Sequence, residues 1–113
     1  MKLLSRSEEL LLLAIYKLGN NAYGVTIRQQ IHKDIGRYWS FGVIYKSLKK
    51  MKAKGYVKKT QSEPRSERGG RRRFYYHITE KGISVLKTIY LIHSSAWDGV
   101  RILSRGISMK NEK

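Results

Sequence analysis

The sequence has no cysteine and no long apolar run, and each shortage excludes a class of protein. Without cysteine there is no disulfide framework and no thiolate metal site, so we expect a cytoplasmic location. The longest apolar run, residues 10–16, is far shorter than the roughly 18 to 20 residues that a membrane span requires. Glu8 and Glu9 stand where a signal peptide would carry basic residues. We therefore expect neither export nor membrane insertion.

Acidic residues are also scarce. The 113 residues include 24 Lys+Arg and 8 Asp+Glu, which gives a net charge of +16. The excess lies in the middle of the chain, where residues 20–56 carry a net +7 and residues 57–82 a net +5. Such a charge favours a polyanionic partner, with nucleic acid the first candidate.

Patterns for catalysis and metal binding are missing as well. His32, His77 and His93 are far apart in the sequence and lack the spacing of metal ligands. Glu63 and Glu67 stand among arginines and read as local charge partners rather than nuclease ligands. With no phosphate-binding glycine loop and no nucleophile elbow, we expect no enzymatic activity and no cofactor.

Residues 40–55 form the best-defined amphipathic helix. Ile44, Leu48 and Met51 share one side, and Ser40 and Gly55 are suited to cap the two ends. The other sides carry Lys46, Lys49, Lys50 and Lys52. Taken alone, such lysines can be a solvated helix face and no more. A helix of this kind also fits a DNA major groove.

Two helices are predicted before it. Residues 6–18 follow a Ser5/Glu8 capping box, and their apolar stripe comprises Leu10, Leu11, Ala14, Ile15 and Leu18. A second helix is predicted to start near Val25 or Thr26, to bury Ile27, Ile31 and Ile35, and to end at Gly36. Because the connection to Ser40 is short, this helix and the next should form a helix-turn-helix.

A β-hairpin is predicted after the central helix. Residues 56–62 are extended in character, and residues 71–79 alternate so that Phe74, Tyr76 and Ile78 share a buried face. Arginines cluster at the predicted tip. A helix-turn-helix followed by two antiparallel strands is the arrangement of a winged helix, so the fold class is mainly α with a small β-hairpin.

The C-terminal part predicts a dimerisation helix. Thr79 and Glu80 are suited to start it, and a seam with steps of three and four follows, formed by Ile83, Leu86, Tyr90, His93, Trp97 and Val100. Ile89, Leu91 and Ile92 widen this apolar surface, which favours a homodimer; folding back onto the same domain is the alternative. We divide the chain into a winged-helix domain (1–79), a dimerisation helix (80–106) and a tail expected to be disordered (107–113).

Three stretches, AYG, FGVIYKSLKKMKAKGYV and ERGGRRRFYYHITEKG, together resemble the PadR family of transcriptional regulators over about residues 5–88. The resemblance implies a winged-helix DNA-binding domain, a homodimer made by the C-terminal helix, and usually repression. The chain departs from the family pattern in its many central lysines and in Trp39-Ser40-Phe41.

Candidate DNA-binding residues follow from the family resemblance and from the way a winged helix is expected to meet DNA. The resemblance implies Tyr23, Tyr45, Lys49, Lys50, Arg71, Arg72 and Arg73. A central helix in the major groove adds Ser40, Phe41, Gly42 and Lys46, and a basic wing adds Arg65 and Arg68.

These observations predict a sequence-specific regulator that binds double-stranded DNA at a pseudo-palindromic operator as a homodimer, with repression the expected effect. The alternative is a small basic RNA-binding or ribosome-associated winged-helix protein, in which Tyr75 and Tyr76 could stack on bases. Trp97 has two interpretations: ordinary interface packing, or the wall of a pocket for a flat aromatic effector, as in drug-responsive PadR relatives.

Overall fold

A computed structural model describes residues 4–62 and 73–100 of the chain. In these two ranges four helices and one hairpin follow in the order α1 (Arg6–Leu18), α2 (Gly24–Ile35), α3 (Phe41–Ala53), β1 (Val57–Gln61), β2 (Phe74–Ile78) and α4 (Glu80–Trp97), with a 3-10 turn at Gly19–Asn21. The two strands pair antiparallel. The expected mainly helical fold with a small hairpin is confirmed.

Helix α1 has the predicted bounds and the predicted capping box. The Ser5 N–H donates to Glu8 Oε1 (3.0 Å), and the Glu8 N–H donates to Ser5 Oγ (3.1 Å). The buried residues are Leu11, Leu12, Ala14 and Ile15. Leu10 and Leu18, expected in the stripe, are only half-buried, so the side facing the core is centred on Leu11 and Ile15.

Helix α2 begins at Gly24, one residue before the predicted range. The Thr26 hydroxyl accepts from the Tyr23 N–H (2.9 Å) and donates to the Asn21 carbonyl (2.6 Å), which fixes the first turn. The helix ends at Gly36 in a left-handed conformation (φ 73°), as predicted.

The prediction that Ile35, the last residue of the apolar edge of α2, is buried was wrong. Ile27 and Ile31 are buried, but Ile35 is 37% exposed. The reason is helical geometry: a step of four residues turns the side-chain direction by about 40°. Two such steps carry Ile35 away from the core.

Helix α3 and the hairpin follow the expected plan. Ser40 Oγ accepts from the Val43 N–H (3.1 Å), and Ile44, Leu48 and Met51 are buried. Gly55 is left-handed (φ 82°). The hairpin register runs from Val57 opposite Ile78 to Gln61 opposite Phe74.

The hairpin is also tied to the helical part of the domain. The Tyr76 N–H donates to the Ala22 carbonyl in the connection before α2 (2.8 Å). Of the three residues expected on one buried face, Tyr76 is buried, Ile78 is half-buried and Phe74 is 43% exposed. Phe74 lies at the end of β2 distant from α4, where the strand extends past the core.

Helix α4 starts at the predicted cap and packs closely on the hairpin. Thr79 Oγ1 accepts from the Gly82 N–H (3.1 Å) and donates to the Gly55 carbonyl (2.6 Å). A Cβ at Gly82 would overlap the Tyr56 carbonyl oxygen. Only glycine permits this approach between the first turn of α4 and the start of β1.

The assignment of α4 residues to the inner and the outer side of the helix differs from the prediction. Val85 and Ile89 are buried in the domain's own core, so the prediction that Ile89 belongs to the outer apolar surface was wrong. Leu91 and Ile92 are exposed as expected. The helix ends at Trp97, which leaves Val100 beyond it. Residues 101–113, with the rest of the predicted helix and the predicted tail, lie outside the described residues.

Candidate nucleic-acid interface

The charged residues on the exposed side of α3 are all basic. Lys46, Lys49, Lys50 and Lys52 are all exposed, and none of them pairs with a carboxylate of the described residues. At the N-terminus of the helix, Ser40, Phe41 and Gly42 are also exposed. The helix therefore presents a polar and aromatic first turn, followed by free ammonium groups.

Two aromatic rings lie along this side of α3. Phe41 is 40% exposed and Tyr45 is 49% exposed, and their ring centroids are 6.3 Å apart. Tyr45 also lies against the first residue of α2, since a Cβ at Gly24 would overlap its hydroxyl group. The absence of a side chain at Gly24 thus leaves room for the Tyr45 hydroxyl group at the start of α2.

The base of the wing is joined to the start of α2 by a second aromatic group. The Arg73 guanidinium lies 4.2 Å from the centroid of the Tyr23 ring, and the rings of Tyr23 and Tyr75 meet edge-on at 5.5 Å. A side-chain hydrogen bond to Tyr75 raises the pKa of Arg73 further above its already high ordinary value. Tyr23 and Arg73, both predicted DNA contacts, are therefore neighbours.

A shallow groove of about 320 Å³ separates α3 from the hairpin. Lys49 and Lys52 line it from α3, and Lys59 and Tyr76 from the strands. Lys59 Nζ lies 4.2 Å from the centroid of the Phe74 ring. Burial, and secondarily the neighbouring Tyr45, raise the pKa of Tyr76 above its ordinary value. The positive charge of the groove comes from its three lysines, Lys49, Lys52 and Lys59.

Each ion pair among the described residues uses a cation that lies outside α3 and the hairpin strands. Asp34 pairs with Lys17 (3.0 Å), and Glu8 pairs with Lys54 (3.8 Å). Lys54, which directly follows α3, is thus paired with a residue of α1. The positive charge on α3 and the hairpin is left uncompensated by the residues described.

The structure brings some of the predicted DNA-binding residues together. Tyr45 and Lys49 line the groove, and the Phe41 ring lies next to that of Tyr45. Tyr23 and Arg73 are in contact at the base of the hairpin, and the remaining described candidates are exposed on α3 or at its cap: Ser40, Gly42, Lys46 and Lys50. Arg65, Arg68, Arg71 and Arg72 lie outside the described residues. Their predicted contacts stay predictions.

Sequence reasoning missed three contributors to this side of the molecule. For Lys59 the sequence predicts only an extended segment, although alternation with Lys58 along a strand could have placed Lys59 on the groove. Arg28 of α2 contacts Tyr38 in the connection before α3 (guanidinium to ring centroid 4.5 Å). Nothing in their spacing signals that contact, because it depends on the path of the short connection.

A separate apolar groove of about 440 Å³ lies between α1 and α4. Its walls are Leu13, Tyr16, Ile83, Leu86, Lys87, Tyr90 and Leu91. Three of the six predicted interface residues, Ile83, Leu86 and Tyr90, are among them. Trp97 is 48% exposed but does not line this groove, and its assignment to an interface or to an effector pocket stays a prediction.

His93 has a partner that the sequence did not indicate. Its Nε2 lies 3.4 Å from Glu9 Oε1, which also lies 3.6 Å from Arg6 Nε. His93 therefore faces α1 of its own chain. Across residues 4–62 and 73–100, no three His, Asp or Glu side chains are grouped as a metal site would require, and no helix is long and apolar enough to span a membrane.

A helix-turn-helix followed by an antiparallel hairpin defines a winged-helix protein. The model of the transcriptional regulator PadR-like family matches residues 12–88. The chain belongs to this family of transcriptional regulators, as the resemblance in its sequence implied. No match was found among curated protein sequences.

Solved structures of the family share the fold. A PadR-like transcriptional regulator from Bacillus cereus is 26% identical, with 89% of each chain covered and a TM-score of 0.63. A PadR family regulator from Clostridium difficile is 24% identical, with 88% of this chain and 96% of that chain covered and a TM-score of 0.60. Bacillus subtilis PadR, solved in complex with operator DNA, is 20% identical over 76% of this chain and 47% of that chain, with a TM-score of 0.62.

Proposed function

We propose that this protein is a sequence-specific DNA-binding regulator that binds a pseudo-palindromic operator as a homodimer and represses transcription. The observation that carries the proposal is the composition of one surface. Helix α3 and both strands contain no acidic residue, while they carry Lys46, Lys49, Lys50, Lys52, Lys58 and Lys59. A surface of this kind matches the phosphate backbone of a duplex.

The first turn of α3 is suited to read bases. Ser40, Phe41 and Gly42 are exposed at the helix N-terminus, the part of a recognition helix that meets base edges in the major groove. Ser40 can hydrogen-bond to a base edge, and Phe41 can contact a thymine methyl group. The lysines farther along the helix supply affinity and register through phosphates.

The homodimer is supported by the groove between α1 and α4. Tyr90 is 71% exposed and Leu91 is 64% exposed, so the single chain leaves large apolar side chains in water. A second copy packed on this surface would bury them in a two-fold interface. Two recognition helices related by that axis would meet two half-sites about one helical turn apart, which accounts for the expected pseudo-palindrome.

The proposal is tested by letting the protein select its own site. The purified protein is used to enrich a duplex from a random pool, and fluorescence anisotropy then compares this duplex with a scrambled duplex and a matched RNA at two salt concentrations. We expect a preference for the selected duplex of about 10³ or more, the lower end for specific regulators, and weaker binding at higher salt.

The alternatives give different results in the same experiment. Failure to enrich any sequence, with equal binding to all duplexes, would contradict sequence-specific recognition. Tighter binding to RNA would favour the RNA-binding alternative. Repression is tested separately, by placing the selected duplex between a promoter and a reporter gene, where activation would contradict that part of the proposal.

A further inference from the structure

Arg28 of α2 makes two contacts to the connection that leads into α3 and a third to the first residue of α3. Its Nε donates a hydrogen bond to the Trp39 carbonyl (2.8 Å). Its guanidinium carbon lies 4.5 Å from the centroid of the Tyr38 ring and 4.9 Å from that of the Phe41 ring. One half-buried side chain thus touches the connection and the first residue of the recognition helix.

The Tyr38 ring is itself held from α2. The His32 ring stacks on it at a centroid distance of 3.8 Å and an interplanar angle of 4°. Arg28, His32, Tyr38 and Phe41 therefore form one group, which we call the Arg28 cluster. It spans from the middle of α2 to the first turn of α3, outside the hydrophobic core.

The cluster acts on the first turn of α3, ahead of the first core residue of that helix. The first buried residue of α3 is Ile44, one turn after Phe41. Trp39, just before the capping residue Ser40, is half-buried and packs against the core, whereas the Phe41 side chain is 40% exposed. An exposed aromatic side chain at a helix N-terminus would otherwise sample several rotamers, and fixing it on binding would cost affinity. The Arg28 contacts restrict that freedom before DNA arrives.

We infer that Arg28 is a positioning residue that sets how strongly the protein discriminates between operator sequences. It holds Phe41 and the N-terminus of α3 in the orientation that meets base edges, and it acts through these residues rather than through a phosphate. This inference rests on the proposed function, because it assumes that the first turn of α3 reads bases.

The test compares Arg28→Lys and Arg28→Ala with Arg37→Ala. Arg37 lies in the same connection and is exposed, and it makes no contact with a ring or carboxylate of the described residues, so Arg37→Ala removes the same charge without touching the cluster. Dissociation constants are measured for a duplex that the wild type enriches from a random pool and for its scrambled counterpart, across a salt series.

Both Arg28 variants should lower the ratio of the two affinities by about tenfold, the size of the discrimination carried by one base pair. Lysine keeps the charge but cannot donate from a planar Nε or lie flat between two rings, so Arg28→Lys should not restore the ratio. Arg37→Ala should weaken both duplexes alike and leave the ratio unchanged. Partial unfolding of a variant would lower both affinities equally, so the ratio separates positioning from stability.

Tyr38→Leu provides a second variant that leaves the charge in place. Tyr38 is 57% exposed, so its replacement does not open the core, and the same loss of discrimination is expected.

Three outcomes would contradict the inference. If Arg28→Lys and Tyr38→Leu leave the ratio of the two affinities unchanged, the inference is wrong while the proposed function stands. An equal loss on both duplexes in Arg28→Ala, with the salt slope flatter by about 0.9 per lost contact, would overturn it in favour of a phosphate contact. A wild type that enriches no sequence would overturn the proposed function and this inference together.

Discussion

Aromatic rings reach the surface on two sides of the molecule, and their surroundings differ. On the side of α3 and the hairpin, the ring centroids of Phe41, Tyr23 and Phe74 each lie within 5 Å of a lysine or arginine side chain. In the groove between α1 and α4, Tyr16 and Tyr90 lie among leucines and Ile83, and Lys87 is the charged residue of the lining. Rings held by cations suit a partner that is itself charged, whereas rings among aliphatic side chains suit an apolar partner.

The two surfaces would therefore have separate roles. The basic surface would contact DNA, and the apolar surface would contact a second copy of the chain. If the roles are separate, a substitution on one surface should leave the property of the other unchanged. Substitutions on each of the two surfaces test that separation. A substitution on the inner side of α4, which packs on the core, serves for comparison.

Ile89→Ala and Leu91→Ala separate the inner side of α4 from its outer side. Ile89 is 2% exposed and belongs to the core, so Ile89→Ala should lower the free energy of unfolding by about 2–5 kcal/mol. Leu91→Ala should change it little in the monomer and weaken self-association instead. Thermal unfolding and sedimentation measure the two properties. Equal losses of stability in both variants would contradict the division of the helix.

Tyr90→Asp should disrupt the dimer. A carboxylate placed in the apolar groove would lose its hydration on association, so we expect the dimer to weaken by about 2 kcal/mol or more, the range of an interface hot spot. Sedimentation velocity over a concentration series gives the dissociation constant. Binding to an isolated half-site should be unchanged, which serves as the control.

A wild-type protein that sediments as a monomer at micromolar concentration would contradict the proposed homodimer. Tyr90→Asp that dimerises as well as the wild type would place the interface elsewhere on the molecule.

Much of the fold could be predicted because it is encoded by local signals. The bounds of α1, the caps at Ser40, Gly55 and Thr79, and the helix-turn-helix spacing depend on residues within a few positions of one another. The burial of the misassigned residues depends in addition on how the helices pack against the rest of the domain. Ile89 repeats at helical spacing with both the inner and the outer side of α4, and only the packing of α4 against the domain decides between them.

The candidate site likewise has residues that the sequence indicates and contacts that it does not. Charge alone indicates the lysines of α3, since a basic helix next to a basic hairpin is typical of a surface that binds nucleic acid. The Arg28 cluster and the pairing of His93 with Glu9 join residues more than one helical turn apart, or on different helices. Such contacts need the path of the backbone, which composition and periodicity do not provide.

Replacing Lys46 and Lys49 with glutamine should weaken DNA binding without altering self-association. Each lost phosphate contact should reduce the slope of log affinity against log salt by about 0.9. The matched control replaces Lys33 and Lys81, which carry the same charge, are exposed and line neither groove. If both double variants bind DNA equally, net charge rather than the placement of the lysines governs binding.

Gly42→Ala should give the smallest change in energy, with opposite effects on stability and DNA binding. A Cβ at Gly42 meets only Ser40 Oγ, at 3.9 Å, so alanine fits, and its higher helix propensity should stabilise the domain by up to about 1 kcal/mol. The added methyl group would project from the exposed first turn of α3, where glycine would leave room for α3 to approach the bases of a DNA major groove. We therefore expect a higher melting temperature together with weaker binding to the selected duplex, measured by thermal unfolding and anisotropy. A variant that is more stable and binds equally well would mean that Gly42 does not approach the bases, and the contact would then begin farther along α3.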